Sequence, residues 1–171
     1  MDVDGTLTNG NIYISASGET FKAFNVKDGL GIAKILPSLE IEPIIITGRK
    51  SSIVSFRCRE LGIQRIHQGV GNKADCLEKI LNDTSAEFDA VAYIGDDLND
   101  LDCMLRVKHN GGVTGCPSDA AHEITAIADF ISDCRGGEGA VRSFIEYIQQ
   151  TSAISRSRAC RTLPGTSRRT P

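Results

Sequence analysis

PIIITGRKSSIVSFRCRELGIQRIHQ, residues 43–68, sets the period of the chain. Ile44, Ile45 and Ile46 form a short unbroken apolar run, as in a strand covered on both faces, and Thr47-Gly48-Arg49 ends it. Ser51 to Leu61 then reads as a helix stopped by Gly62, and Arg65 to Gln68 as a second short strand. Strand, helix and strand in so short a span make a βαβ unit, whose strands are parallel.

The same alternation continues downstream. Lys73 to Leu81 reads as a helix, Ala90 to Ile94 as a buried strand and Leu98 to Leu105 as a short helix. A strand is expected around Gly111 to Gly115, a short helix over Ser118 to Glu123 and a last strand over Ala128 to Ile131. After the Gly136-Gly137-Glu138-Gly139 break, Val141, Phe144, Ile145 and Ile148 mark one face of a final helix. Upstream, the β-prone runs Asn11 to Ser15 and Thr20 to Asn25 flank Ala16 to Glu19 and suit a hairpin. Ile32, Ile35, Leu36 and Leu39 follow at helical spacing, with Asp28 expected as the cap and Pro37 and Pro43 bracketing the end. The expected fold class is α/β, a doubly wound and mainly parallel sheet with an early hairpin and its chemistry at the carboxyl ends of the strands.

Length and composition agree with one such unit. The chain has 171 residues, 40% hydrophobic and 24% charged, as in an ordinary globular domain and unlike collagenous or disordered chains. Residues 151–171 hold five Arg and no acid, leaving 14 basic and 22 acidic residues in 1–150. The expected organisation is a domain over 1–150 and a disordered Arg/Ser-rich tail over 151–171. An acidic body argues against nucleic acid as a partner. No stretch is apolar enough to span a bilayer and the first ten residues lack a signal-peptide pattern, so a cytoplasmic protein without membrane association is expected. The six cysteines are widely spaced, with no CxxC pair, and read as free thiols or small core residues.

Four polar groups directly follow strand-like runs: Asp2-Val3-Asp4-Gly5-Thr6, Thr47-Gly48-Arg49, Lys73, and Gly95-Asp96-Asp97 with Asp100. A calcium loop starting at Asp2 fails on spacing, because Leu7 and Tyr13 stand where Gly and Glu are required. Together the four groups can supply what phosphoryl transfer needs: a nucleophile, carboxylates for a divalent cation, a proton donor and groups that hold phosphate oxygens. Asp2 and Asp96, with a backbone carbonyl near Asp4, form the hard oxygen set that Mg²⁺ prefers. Strand alternation returns Asp2 and Asp4 to one side, so both can reach one substrate.

DVDGTLT, ITGR, the downstream lysine and YIGDDLND, in this order, resemble the four motifs of the haloacid dehalogenase superfamily of phosphohydrolases, over about residues 1–150. The resemblance implies that Asp2 is the nucleophile and Asp4 the general acid and then base. It implies that Thr47 bonds the phosphoryl oxygens, that Lys73 stabilises the charged intermediate, and that Asp96 binds Mg²⁺ helped by Asp97 or Asp100. Asp2, Asp4, Asp96, Asp97 and Asp100 are thus the metal-site candidates. Thr6, which orients the loop, Gly48 and Arg49 are the substrate-side candidates, Arg49 because a guanidinium suits a carboxylate or sugar hydroxyls.

The gaps between Asp4 and Thr47 and between Thr47 and Lys73 are too short for a cap domain. NIYISASGETFKAFNVKDGLGI, HQGVGNK and GGEGAVRSFIEYI resemble the capless branch of 3-deoxy-D-manno-octulosonate 8-phosphate phosphatases and phosphatases of nine-carbon sialic-type sugar acids. That branch implies a small-molecule sugar acid phosphate as substrate and a homotetramer assembled through the hairpins. The resemblance extends to the phosphatase-like domain of some acylneuraminate cytidylyltransferases, which leaves a non-catalytic oligomerisation or regulatory module as the alternative. Members of the family carry an apolar strand into the first motif. Here Met1 directly precedes Asp2, so a truncated central strand with open neighbouring edges is expected.

Overall fold

The computed structural model describes residues 1–161. An antiparallel hairpin of β1 (Tyr13–Ser15) and β2 (Gly18–Phe21) comes first. It is shorter than its β-prone runs because the pairing shifts register at Tyr13/Ile14, and Tyr13 stacks on Phe21 at 4.2 Å. The next helical segment is composite: α1 (Val26–Leu30), a π-helical stretch (Gly31–Ile35) and α2 (Leu36–Ser38). Pro37 has no N–H to continue an i to i−4 ladder, and the Leu36 N–H reaches back to the Gly31 carbonyl instead. Asn25, not Asp28, caps α1, its side chain accepting from Lys27 N–H. Asp28 lies inside the helix and points at another element, described below.

The alternating part contains β3 (Ile44–Thr47), α3 (Ser52–Glu60), β4 (Arg65–Gln68), α4 (Lys73–Thr84), β5 (Ala92–Ile94), α5 (Leu98–His109), β6 (Val113–Cys116), α6 (His122–Thr125), β7 (Phe130–Ile131) and α7 (Ala140–Arg161). β3 pairs with β4, β5 with β6, and β6 with β7, all parallel. The short helix expected over Ser118 to Glu123 starts instead at His122. The final helix runs past residue 150, where the domain was expected to end. The rest of the expected tail, 162–171, lies outside the described residues.

The two parallel ladders join through the first residues of the chain. The Met1 amine donates to Ile44 O (2.8 Å), Ile46 N–H donates to Met1 O (3.1 Å), and Asp2 N–H donates to Ile94 O (3.1 Å). This is parallel pairing, and it places Met1 and Asp2 between β3 and β5. A cavity of about 460 Å³ opens between β3 and β5, lined by Met1, Ile44, Ala92, Leu77 and Phe144 among others.

Alternation along the strands builds two cores. Ile45 and Ile94 face Val3, Ile32, Val54, Val141, Phe144 and Ile145 on one side. Ile46 and Tyr93 face Leu77, Ile80, Cys103, Met104, Val107 and Ile124 on the other. The helices therefore cover both faces, as in a doubly wound sheet. No helix among the described residues is long and apolar enough to cross a membrane.

Candidate active site

The first loop is shaped by one carbonyl and one glycine. Val3 O accepts from the N–H groups of Leu7 (2.9 Å) and Thr8 (3.0 Å), which curls residues 3–8 over the end of the sheet. Gly5 sits at φ 95°, and a Cβ there would lie 1.9 Å from Asp96 Oδ2. Glycine thus lets Asp96 rest directly on the loop, while Thr6 Oγ1 donates to Asp96 Oδ1 at 2.8 Å. Thr6 is 0% exposed. Its hydroxyl is donated to Asp96, which ties the first loop to the carboxyl end of β5. Gly136 presses on the same loop from the other side, where a Cβ would lie 1.8 Å from Gly5 O, and Gly137 N–H donates to Thr6 O at 3.0 Å.

Asp2, Asp96 and Asp100 come together at the carboxyl ends of the central strands, each offering an oxygen within 4.8 Å of the others. Lys73, first residue of α4, reaches this cluster with Nζ 2.8 Å from both Asp2 Oδ1 and Asp100 Oδ1. The Asn72 side chain caps α4 and so fixes the direction from which the lysine arrives. Asp100 is 0% exposed and also accepts from the Tyr93 hydroxyl at 2.7 Å. Asp97 stays outside: its exposed carboxylate accepts from Leu98 N–H at 2.7 Å and serves as the α5 cap. Of the two carboxylates expected to support Asp96, it is Asp100 that joins the cluster.

The electrostatics follow from two buried carboxyl groups and one half-buried one facing one ammonium. Burial, and then the nearby Asp100, push the Asp2 carboxyl above the usual carboxylate range, with Lys73 pulling the other way. Burial dominates at Asp96 as well; the Thr6 hydrogen bond opposes it, but Asp2 and Asp100 add to it, and the group is pushed up to about 8. Burial works against the charge on Lys73, yet Asp2 and Asp100 outweigh it and hold the ammonium above its ordinary value. Hard oxygen donors with an excess of negative charge fit a small divalent cation such as Mg²⁺.

A second ionic group surrounds Asp4. Its Oδ1 accepts from Lys22 Nζ, and Lys22 also lies 3.0 Å from Glu19 Oε1. Arg49 approaches both acids at 3.7 Å, to Asp4 Oδ2 and Glu19 Oε1. The Ser51 hydroxyl, which caps α3, donates to Glu19 Oε2. Glu19 Oε1 makes no hydrogen bond and is held by charge alone. Lys22, Glu19 and Ser51 escape a sequence reading because nothing in a hairpin strand marks which polar side chain turns inward. The sole local signal is Lys22 lying between Phe21 and Phe24. Thr47 is buried at the end of β3, and Gly48 and Arg49 form the turn after it, against Val70 and Gly69.

No family model matches the chain. It is 41% identical over 148 residues to 3-deoxy-D-manno-octulosonate 8-phosphate phosphatase KdsC of Escherichia coli K12, covering 86% of this chain and 76% of that protein. The solved structure of the same phosphatase from Yersinia pestis superposes with a TM-score of 0.82 at 36% identity, covering 89% of this chain and 80% of that one. The enzyme from Moraxella catarrhalis, solved with a magnesium ion, a phosphate ion and a KDO molecule, gives 0.81 at 37% identity, with 91% and 90% covered.

Proposed function

The chain belongs to the 3-deoxy-D-manno-octulosonate 8-phosphate phosphatase family of haloacid dehalogenase-like phosphohydrolases, and we propose that it hydrolyses that sugar acid phosphate in a Mg²⁺-dependent reaction through Asp2. The observation that carries this reading is the convergence of Asp2, Asp96, Asp100 and Lys73 at the carboxyl edge of a parallel sheet, with Asp4 on the same loop. A module serving assembly alone has no need to crowd three carboxyl groups together at such electrostatic cost.

Asp2, Asp96, Asp100 and the Asp4 backbone carbonyl would hold the Mg²⁺, which when bound offsets the charge of the carboxylates and of the substrate phosphate. An Asp2 carboxylate oxygen attacks phosphorus and the bond to the sugar oxygen breaks, leaving an aspartyl-phosphate. Asp4 gives its proton to the departing sugar oxygen. It then takes one from the water that attacks the phosphoryl group, releasing inorganic phosphate and restoring Asp2. Lys73 balances the charge of the Asp2 carboxylate, and Thr47 and Gly48 hold the phosphoryl oxygens. Arg49, whose side chain is 47% exposed and 3.7 Å from each acid, would take the sugar's carboxylate.

The hairpin exposes Ile14 (70%) and Phe21 (55%). Apolar side chains so exposed on a small projecting element fit a subunit contact, and we assign the homotetramer to this surface. The free thiols of Cys58, Cys76, Cys103, Cys116 and Cys134 suit a cytoplasmic, reducing compartment. Phosphate release should be measured across eight-carbon and nine-carbon keto sugar acid phosphates, with hexose phosphates as controls. The eight-carbon substrate is expected to be preferred and chelation of divalent metal to stop turnover. Preference for the nine-carbon series would move the chain to the sialic-type branch, and preference for hexose phosphates would refute the sugar acid assignment.

A further inference from the structure

We infer that Lys22 is a positioning residue for Asp4: the hairpin presents its buried ammonium to fix the Asp4 carboxyl group beside the reacting ester. The inference rests on the phosphatase reading above and adds a residue from outside the four motif segments.

The Lys22 side chain is 1% exposed. An ammonium removed from water is costly unless it is paired, so a lysine at this depth is tied to its partners. Those partners are Asp4 and Glu19, and Glu19 is in turn anchored on the Ser51 hydroxyl at the start of α3. Lys22 is therefore held on one side by the hairpin and α3, and on the other it holds the catalytic loop. Arg49 does not duplicate it, because it is half exposed and beyond hydrogen-bond distance of both acids. The loop's two aspartates thus have separate lysines: Lys73 for Asp2, at 2.8 Å, and Lys22 for Asp4. Asp4 opens the turn over residues 4–7, with glycine at its next position, and its own side chain is 17% exposed. Without Lys22, the Asp4 carboxylate would be left with Arg49 at 3.7 Å, too far for a hydrogen bond that would fix its side-chain torsions. A proton donor has to come within about 2.6 to 3.2 Å of its target. Misplacement by about 1 Å can cost up to about 100-fold.

The test is a double-mutant cycle on the full chain with Mg²⁺ and 3-deoxy-D-manno-octulosonate 8-phosphate, following kcat and KM separately. Lys22→Met is expected to lower kcat by about 10- to 100-fold with KM changed by less than about threefold. Lys22→Arg is expected to recover most of the loss. In an Asp4→Asn background, Lys22→Met is expected to cost less than about twofold, because a residue acting through Asp4 has nothing left to act on. Melting curves accompany each variant. If Lys22→Met does not fold, Lys22→Gln, which keeps a donor on a similar stem, enters the same cycle. Equal losses in the two backgrounds, a loss carried by KM, or no loss at all overturns the role of Lys22 while the wild type remains a phosphatase. A wild type that releases no phosphate from any sugar acid phosphate overturns the phosphatase reading and the role with it.

Discussion

Asp96 carries a cost that its surroundings create deliberately. Gly5 removes the side chain that would keep it off the loop, Thr6 holds one oxygen, and Asp2 and Asp100 crowd it with like charge. With its carboxyl pushed up to about 8, against about 3.9 in an unfolded chain, the metal-free folded state holds more protons than the unfolded state across that interval. Stability of the metal-free protein should fall as pH rises from about 4 to about 8. Mg²⁺ has to displace those protons, so its stabilising effect should grow in the same direction. Melting temperatures with and without Mg²⁺ at about pH 5.5 and about pH 8 check this sign. A Mg²⁺ increment that is constant or shrinks towards high pH would contradict it. Thr47 and Asp96 were legible in sequence because each closes an apolar run, and Asp2 and Lys73 through their order relative to those two. The job of Thr6 was not, since its partner lies far along the chain.

Asp28 shows how elements are tied across the fold. It sits in α1, is 1% exposed, and its Oδ1 accepts from Arg142 N–H at 2.7 Å, so it caps α7 from another helix. Its Oδ2 has no hydrogen-bond partner, and burial raises its pKa above the ordinary value despite the bonds from the start of α7. Because α7 begins immediately after the glycine loop that presses on Gly5, this cap also steadies the catalytic loop. Asp28→Ala should destabilise by about 1 kcal/mol, within the range of lost helix caps. Asp28→Asn keeps the acceptor and should cost less than the alanine change; equal losses in denaturant melts would remove the capping role. A local reading assigned Asp28 to its own helix because capping residues are sought just ahead of a periodic run. Asn25 fills that place, and no periodicity reveals a cap given to a helix more than a hundred residues away. The strands were easier: Ile44 to Ile46 and Arg65 to Gln68 stand out because breakers bound them on both sides.

At the scale of the molecule, the sheet is continuous only where Met1 to Val3 bridge β3 and β5. The cavity of about 460 Å³ behind them reaches both cores, and the Met1 amine is buried at its edge, where desolvation lowers its pKa. Adding a short apolar β-prone segment ahead of Met1 would turn that amine into an amide, pair the open strand edges and fill the gap. Each buried Val or Ile side chain is worth about 1.5 to 3 kcal/mol, and each kcal/mol moves the melting temperature of a domain this size by about 2 to 4 °C. A rise of several degrees is expected in thermal melting; an unchanged or lower value would mean the cavity does not accept a strand. The doubly wound order was readable from alternation alone, whereas the gap depends on how far three residues extend into the sheet.

The most direct test of the account is the rate of Mg²⁺-dependent phosphate release from 3-deoxy-D-manno-octulosonate 8-phosphate by the wild type and by Asp2→Asn, with the folded state of both checked by melting. The account predicts turnover by the wild type and a loss of at least about 1,000-fold in the variant, since an amide is not a competent nucleophile. A folded Asp2→Asn chain that retains the wild-type rate would contradict it.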